Sequence, residues 1–186
     1  DINHDGQINA LDIVYLGNCL PKLSGGFNVS LNYGRWNLKA RFMFRYGNKV
    51  INSARQTLES MSTAYNQASS VNWRWRKDGD ETLMPRAIYV YDDNSAYNYQ
   101  GSSRYVEDGS FVRFQNLQVG YNFPTKELKK YGLNRLQMYV TANNLFCWTR
   151  YSGVDPEIAI SGWGQAIDKS QTPRAKSFTA NLNIGF

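Results

Sequence analysis

Within its first twelve residues the chain presents six oxygen donors at the spacing a hard cation needs. Asp1, Asn3 and Asp5 offer side-chain oxygens, and Gln7 offers a backbone carbonyl. Asn9 can reach directly or through water, and Asp12 closes the shell. Gly6 permits the sharp turn, and Ile8 can anchor the loop in a core. The ion that suits this pattern is calcium, in a structural role. The closing ligand is Asp, shorter than the Glu of a standard EF-hand, and weak affinity suffices outside a cell, where calcium is plentiful. An Asx-rich turn without metal has the same composition. His4 falls at no ligand position, and a lone His builds no zinc site.

Two further clusters could recognise a ligand or partner. Trp73, Arg74, Trp75 and Arg76 lie within residues 71–77. Indole faces stack on sugars or cover a partner, and guanidinium groups pair with acids. The same alternation also reads as a strand extension with both Trp residues packed on a neighbouring loop. Tyr89, Tyr91, Tyr97 and Tyr99 interleave with Asp92, Asp93, Asn94 and Asn98. That mixture suits a wet recognition surface, and equally a loop packing on its own fold. Glu107, Asp108, Asp155 and Glu157 are too far apart in sequence to be read as a catalytic pair, so bracing of loops by hydrogen bonds is their expected role. The chain contains no Gly-rich phosphate loop, no nucleophile elbow and no His/Cys cluster, so no enzyme activity is expected.

The elements that must carry these residues are strands. From Ser177 to Phe186, the residues Phe178, Ala180, Leu182, Ile184 and Phe186 alternate with Ser, Thr, Asn and Gly. Residues 27–33 and 36–46 alternate in the same way, with a tight turn at Gly34 and Arg35 between them, which predicts an antiparallel hairpin. Residues 111–123 and 136–143 complete a set of five. Aromatic residues at both ends of an apolar face suggest the interfacial girdles of a transmembrane barrel. The 111–123 segment is inconsistent: Phe111, Arg113 and Gln115 share a face with Leu117, Val119 and Tyr121. Its first half therefore has the wrong polarity for lipid and is expected to stand above a membrane. The rival architecture is a secreted, carbohydrate-binding β-sandwich, in which the apolar faces pack on a second sheet.

Connections discriminate between the two. The turn after Tyr33 is tight, and about a dozen residues join the third and fourth strands. Residues 47–110 and 144–176 are long. Short turns on one side and long loops on the other are the pattern of an outer-membrane barrel. It predicts a periplasmic C-terminus, extracellular loops 47–110 and 144–176, and an extracellular calcium-loop segment at 1–20 ahead of a wall segment at 21–186. A loop helix is expected over 48–67 and a short periplasmic helix over 125–131. Cys19 and Cys147, both placed in external loops, can form one disulfide or remain two thiols. The net charge of +6 would suit nucleic acid, but no Lys/Arg block or recognition motif accompanies it, so no nucleic-acid partner is expected. Asp1 begins inside the acidic motif, with neither initiator Met nor signal sequence, so the chain is expected to be a fragment.

Four stretches, in order, resemble the C-terminal part of the SusC/RagA family of TonB-dependent outer-membrane transporters. The first is the acidic loop at 1–12 followed by residues 17–28, Gly-Asn-Cys-Leu-Pro-Lys-Leu-Ser-Gly-Gly-Phe-Asn. The second is 103–121. The third is Asn143 to Phe146 with Thr149, Tyr151, Gly153, Asp155, Pro156 and Glu157, and the fourth is Thr172, Pro173 and Arg174. The resemblance implies an all-β chain supplying the C-terminal strands and long external loops of a 22-stranded transmembrane β-barrel. It implies as partners the remainder of the barrel with its plug, a SusD-like surface lipoprotein serving as a lid, and TonB through an N-terminal region absent here. The implied cargo is a large nutrient, with an oligosaccharide as the first expectation and an oligopeptide as the alternative.

Overall fold

The computed structural model describes residues 2–6, 9–62, 64–88, 101–160 and 164–186. The elements follow one another as β1 (Leu23–Tyr33), β2 (Trp36–Tyr46), β3 (Lys49–Asn52), α1 (Ser53–Glu59), β4 (Val106–Asp108), β5 (Phe111–Asn122), α2 (Thr125–Leu128), β6 (Arg135–Thr149), β7 (Ile167–Asp168) and β8 (Ser177–Gly185). They divide between two compact units. One is a wall of residues 21–48, 109–151 and 172–186. The other, the loop unit, gathers residues 1–20, 49–108 and 152–171. The segment 1–20 is thus not a unit of its own, because its backbone joins the loops: the Lys49 amide donates to the Asn18 carbonyl at 2.8 Å.

The wall is a five-stranded antiparallel sheet in the order β1-β2-β5-β6-β8. β2 and β8 lie in this same sheet, so they cannot face each other across a sandwich. Gly34, with φ +57°, takes the first central position of the two-residue turn between β1 and β2, where positive φ matches the turn to strand twist. β6 runs to Thr149, well past the expected end at 143, and therefore carries Cys147 inside a strand rather than in a loop.

Cross-strand registry builds two unlike faces. On one, Phe27, Phe42, Phe114 and Phe146 form a row, and Leu31, Leu38, Val119, Val140 and Ala180 another. Tyr33, Trp36, Tyr121, Met138 and Leu182 form a third. Rings stack along these rows, with Phe27–Phe42 centroids 4.8 Å apart and Phe42–Phe114 4.6 Å apart. Such pairs stabilise a sheet by a few tenths to about 1 kcal/mol each. The opposite face carries the rows Asn28-Arg41-Asn116-Asn143-Ser177 and Ser30-Lys39-Gln118-Thr141-Thr179.

A bulge resolves the polarity conflict in β5. Arg41 pairs with Asn116 but Phe42 pairs with Phe114, so Gln115 is the extra residue. Such an insertion reverses which face each residue on one side of it occupies. Val112 and Phe114 therefore join Leu117, Val119 and Tyr121 on the apolar face, and Arg113 moves to the polar one. The expectation that the first half of this strand stands above a membrane because of its polarity is corrected: the apolar face is continuous across the bulge.

The loop unit has a small three-stranded sheet, β4-β3-β7, and an apolar cluster of Met61, Val71 and Met84. The helix expected over 48–67 is largely replaced. Val50 and Ile51 belong to β3, and the helix spans only Ser53–Glu59, with Asn52 as its N-cap. β-Branched residues at 50 and 51 favour a strand, and the cap fixes where the helix starts.

Candidate functional site

No strand of the wall contains an Asp or Glu, whereas its polar face presents Lys39, Arg41, Arg45, Arg113 and Arg135. At one end the guanidinium groups of Arg45 and Arg113 lie 6.0 and 5.6 Å from the Phe111 ring centroid. Midway, Asn116 donates to Asn143 at 2.7 Å, and Asn143 donates to Ser177 at 3.0 Å. Lys39 and Arg41 are exposed beside this amide row and line a groove of about 550 Å³ with Asn28, Ser30, Gln118 and Asn143. Cys147 stands opposite Arg113 on the same face. Cys19 belongs to the loop unit, where its thiol donates to the Gly164 carbonyl. The two cysteines form no disulfide.

In the loop unit, charged groups converge on two glutamates. Glu59 Oε1 accepts from Arg55 Nε at 3.1 Å, and its Oε2 accepts from Arg104 Nη2 at 3.2 Å. Glu107 Oε1 accepts from Arg55, Asn52 and the Ser152 hydroxyl, and its Oε2 accepts from the Ser152 amide at 2.8 Å. Burial pushes the Glu107 carboxyl up, but the Ser152 amide and hydroxyl, then Asn52 and Arg55, outweigh it and hold the group below its ordinary value. These contacts tie β3, α1, β4 and residue 152 together. Each acid accepts from several donors on different elements, which makes it a brace.

No protein-family model matches the sequence. The TonB-dependent receptor P3 of Formosa agariphila is 31% identical over the whole chain, and the receptor P26 of the same organism is 29% identical over the whole chain. The TonB-dependent receptor SusC of Bacteroides thetaiotaomicron is 32% identical over 46% of the chain. Among solved structures, the RagAB peptide importer in its closed-closed state superposes with a TM-score of 0.80 over 97% of the chain, at 26% identity. Its open-open state gives 0.75 over 90%.

The chain belongs to the SusC/RagA-like TonB-dependent transporters. It spans 18% of the length of P3 and 19% of that of the closed-closed RagAB chain, so it corresponds to less than a fifth of each. The five-stranded sheet is accordingly transporter barrel wall.

On this transporter segment the expected recognition cluster is only partly assembled. Trp73 ends a 3-10 turn, Ser69–Trp73, and is 79% exposed. An open groove of about 770 Å³ is lined by Asn72, Trp73, Arg74, Arg76, Lys77 and Asp80, among others. Trp75 is half-buried and lies outside it. Arg76 is held in place: its amide donates to Asp80 at 2.9 Å and its Nη2 to the Asn72 carbonyl at 3.0 Å. The strand-extension reading of Trp-Arg-Trp does not hold, because a 3-10 turn followed by a single bridge, Arg74 to Met84, replaces it. Tyr89, Tyr91, Tyr97 and Tyr99 lie outside the described residues.

In the acidic loop, Asn3, Asp5, Asn9 and Asp12 are described, whereas Asp1 and Gln7 lie outside the described residues. Gly6 has φ +81°. Asn3 Nδ2 donates to Asp5 at 2.8 Å. The Asp12 carboxylate accepts from the Asn9 amide at 2.8 Å and the Ile2 amide at 2.7 Å, and these bonds, Asn9 first, lower its pKa. Asn9 in turn caps the turn Ala10–Asp12. Asp12 thus closes the loop through backbone amides. Among the described residues no three His, Cys, Asp or Glu side chains converge on one point. The four described donors are hard oxygens on a single loop, which fits calcium rather than a transition metal.

Sequence reasoning did not anticipate the Arg55-Glu59-Arg104-Glu107 network or the amide row beside Arg41. The i,i+4 spacing of Arg55 and Glu59 was a usable signal for the first. The second depends on register, which no local pattern specifies.

Proposed function

We propose that the chain supplies part of the barrel wall and the extracellular loops of an outer-membrane importer energised through TonB. The observation that carries this reading is the two-faced, five-stranded meander, apolar on one side and cationic and amide-rich on the other, in a chain matching TonB-dependent receptors along its whole length. The apolar face meets lipid and the polar face lines the lumen. β2, with eleven residues, extends about 37 Å along its axis, or about 26 Å vertically at a tilt near 45°. That rise matches an apolar band of about 25 Å. The edges of β1 and β8 need neighbouring strands in lipid, so the remainder of a 22-stranded barrel and its plug are partners. The chain's C-terminus faces the periplasm, and the loop unit faces outward beneath a SusD-like lipoprotein.

The cargo proposed is an oligosaccharide, engaged in part at the groove of Trp73, Arg74 and Arg76, where an exposed indole offers a stacking face. Oligopeptide cargo is the second reading, favoured by the similarity to the RagAB peptide importer. Calcium, held by Asp1, Asn3, Asp5, Gln7, Asn9 and Asp12, stiffens the outer loop. Mass spectrometry of material copurifying with the full-length transporter and its lipoprotein tests the cargo. Glycans are expected. Peptides of mixed sequence with no glycan would replace the first reading with the second.

A further inference from the structure

The wall unit is far more basic than the chain as a whole. It contains thirteen Lys and Arg residues and one acid, Glu127, whereas the loop unit contains eight and fourteen. Four of the wall's cations lie on strand connections: Arg35 in the tight turn, Lys126 in α2, and Lys129 and Lys130 in the 3-10 turn that follows it. All four are exposed, and among the described residues none uses its side chain in a hydrogen bond or ion pair. Arg135, nearby in sequence, is different: its Nη2 donates to Gln137 at 2.7 Å on the polar face.

At the same end the apolar face contains a groove of about 200 Å³ lined by Trp36, Val119, Tyr121, Phe123, Met138 and Val140. Trp36 opens β2 directly after Arg35, and Phe123 leaves β5 directly before Pro124 and α2. The backbone holds these pieces together: the Asn122 amide donates to the Arg35 carbonyl at 2.9 Å, and the Phe123 amide to the Leu136 carbonyl at 3.0 Å. Tyr121 stands between Trp36, at 4.8 Å, and Phe123, at 5.0 Å, so the rings form a continuous edge. Tyr33 and Tyr131 add exposed phenols. Aromatic rings of this kind settle at headgroup depth.

We infer that this end of the wall binds an anionic phospholipid of the adjoining leaflet, with an acyl chain in the groove and the phosphate among Arg35, Lys126, Lys129 and Lys130. An acidic protein surface would answer the charges but leave the groove empty. A neutral lipid would fill the groove and leave the charges unanswered. A molecule with both an apolar tail and a net negative head satisfies both. The inference rests on the membrane reading proposed above.

The test uses the full-length protein and native mass spectrometry with phosphatidylglycerol and phosphatidylethanolamine of identical acyl chains. The wild type is expected to retain phosphatidylglycerol preferentially. Replacing the four cations by Gln is expected to lower that retention by about fivefold per charge removed at first, with a smaller loss for phosphatidylethanolamine, whose ammonium offsets its phosphate. Met138→Trp, which fills the groove, should weaken retention of both lipids. Equal retention of the two lipids by the wild type, or unchanged phosphatidylglycerol retention after removal of the four charges, overturns the inference while leaving the importer reading intact. A full-length protein absent from the outer-membrane fraction would instead sink both.

Discussion

Glu107 ties β4 to β3, α1 and residue 152 of the loop unit. Its folded pKa lies below its ordinary value, so the stability it contributes is complete above the unfolded value of about 4.3 and is lost as pH falls through the lowered folded value. The protection of the Ser152 amide, which donates to Glu107 at 2.8 Å, should therefore fall only in acid. Amide hydrogen exchange checks this, and in Glu107→Gln the acid step should vanish. Glu107→Ala, which strands Arg55, Asn52 and Ser152 together, should cost the loop unit about 2 kcal/mol, read from its denaturant midpoint. Asp12→Ala should open the first loop and abolish calcium binding by calorimetry on the intact protein; binding undiminished by the change would remove Asp12 from the ligand set. At this scale the sequence was legible where a motif is local. The turn at Gly6 follows from spacing within twelve residues, whereas the cap at Asn9 was not anticipated. Glu107 was read correctly as a brace, yet its partners at 52, 55 and 152 could not be named, because they meet only after loops distant in sequence fold together.

Strand identity was readable from period-two alternation, and so was strand facing, except in the first half of β5. A single extra residue at Gln115 inverts residues 111–114 of β5, and nothing in the local composition marks the insertion point. Register supplies the missing information: Phe114 matches Phe42 and Phe146, and that aromatic row stabilises the bulged pairing over the unbulged one. Deleting Gln115 should turn Val112 and Phe114 toward the polar side and Arg113 toward lipid, abolishing assembly, whereas Gln115→Ala should assemble normally. Heat-modifiability on electrophoresis distinguishes the two. The faces can also be compared one residue apart on β6. Val140→Arg should destabilise the folded barrel by about 2–4 kcal/mol, and Thr141→Arg, on the polar face, should have little effect. Equal effects would mean that the faces are assigned wrongly. The helix expected over 48–67 illustrates the opposite difficulty. Its apolar stripe has helical spacing, but residues 49–52 pair with β4 and β7, and pairing across sequence overrides local pattern.

Across the whole chain, the modest net charge of +6 conceals a strongly basic wall and an acidic loop unit. Average composition could exclude a nucleic-acid reading only by the lack of a motif, and it could not reveal this segregation, since the units interleave three times along the sequence. The tryptophans report on the same division. Trp36 and Trp148 lie on the apolar face, and Trp73 and Trp75 belong to the loop unit. In the reconstituted full-length protein with single tryptophans retained, lipids brominated near the headgroup should quench Trp36 and Trp148 and leave Trp73 unaffected. Quenching of Trp73 to the same extent would contradict the placement of the loop unit outside the bilayer.

Cys147, opposite Arg113 on the polar face, gives the wall a ready chemical reporter. Its thiol is exposed, and the only other cysteine is Cys19 in the loop unit. With Cys19 replaced by Ser, maleimides of increasing size added from outside would measure how wide a path leads to one fixed point on the inner surface. The same reaction timed in the presence and absence of cargo would turn passage through the protein into a rate of covalent labelling, read without following the cargo itself.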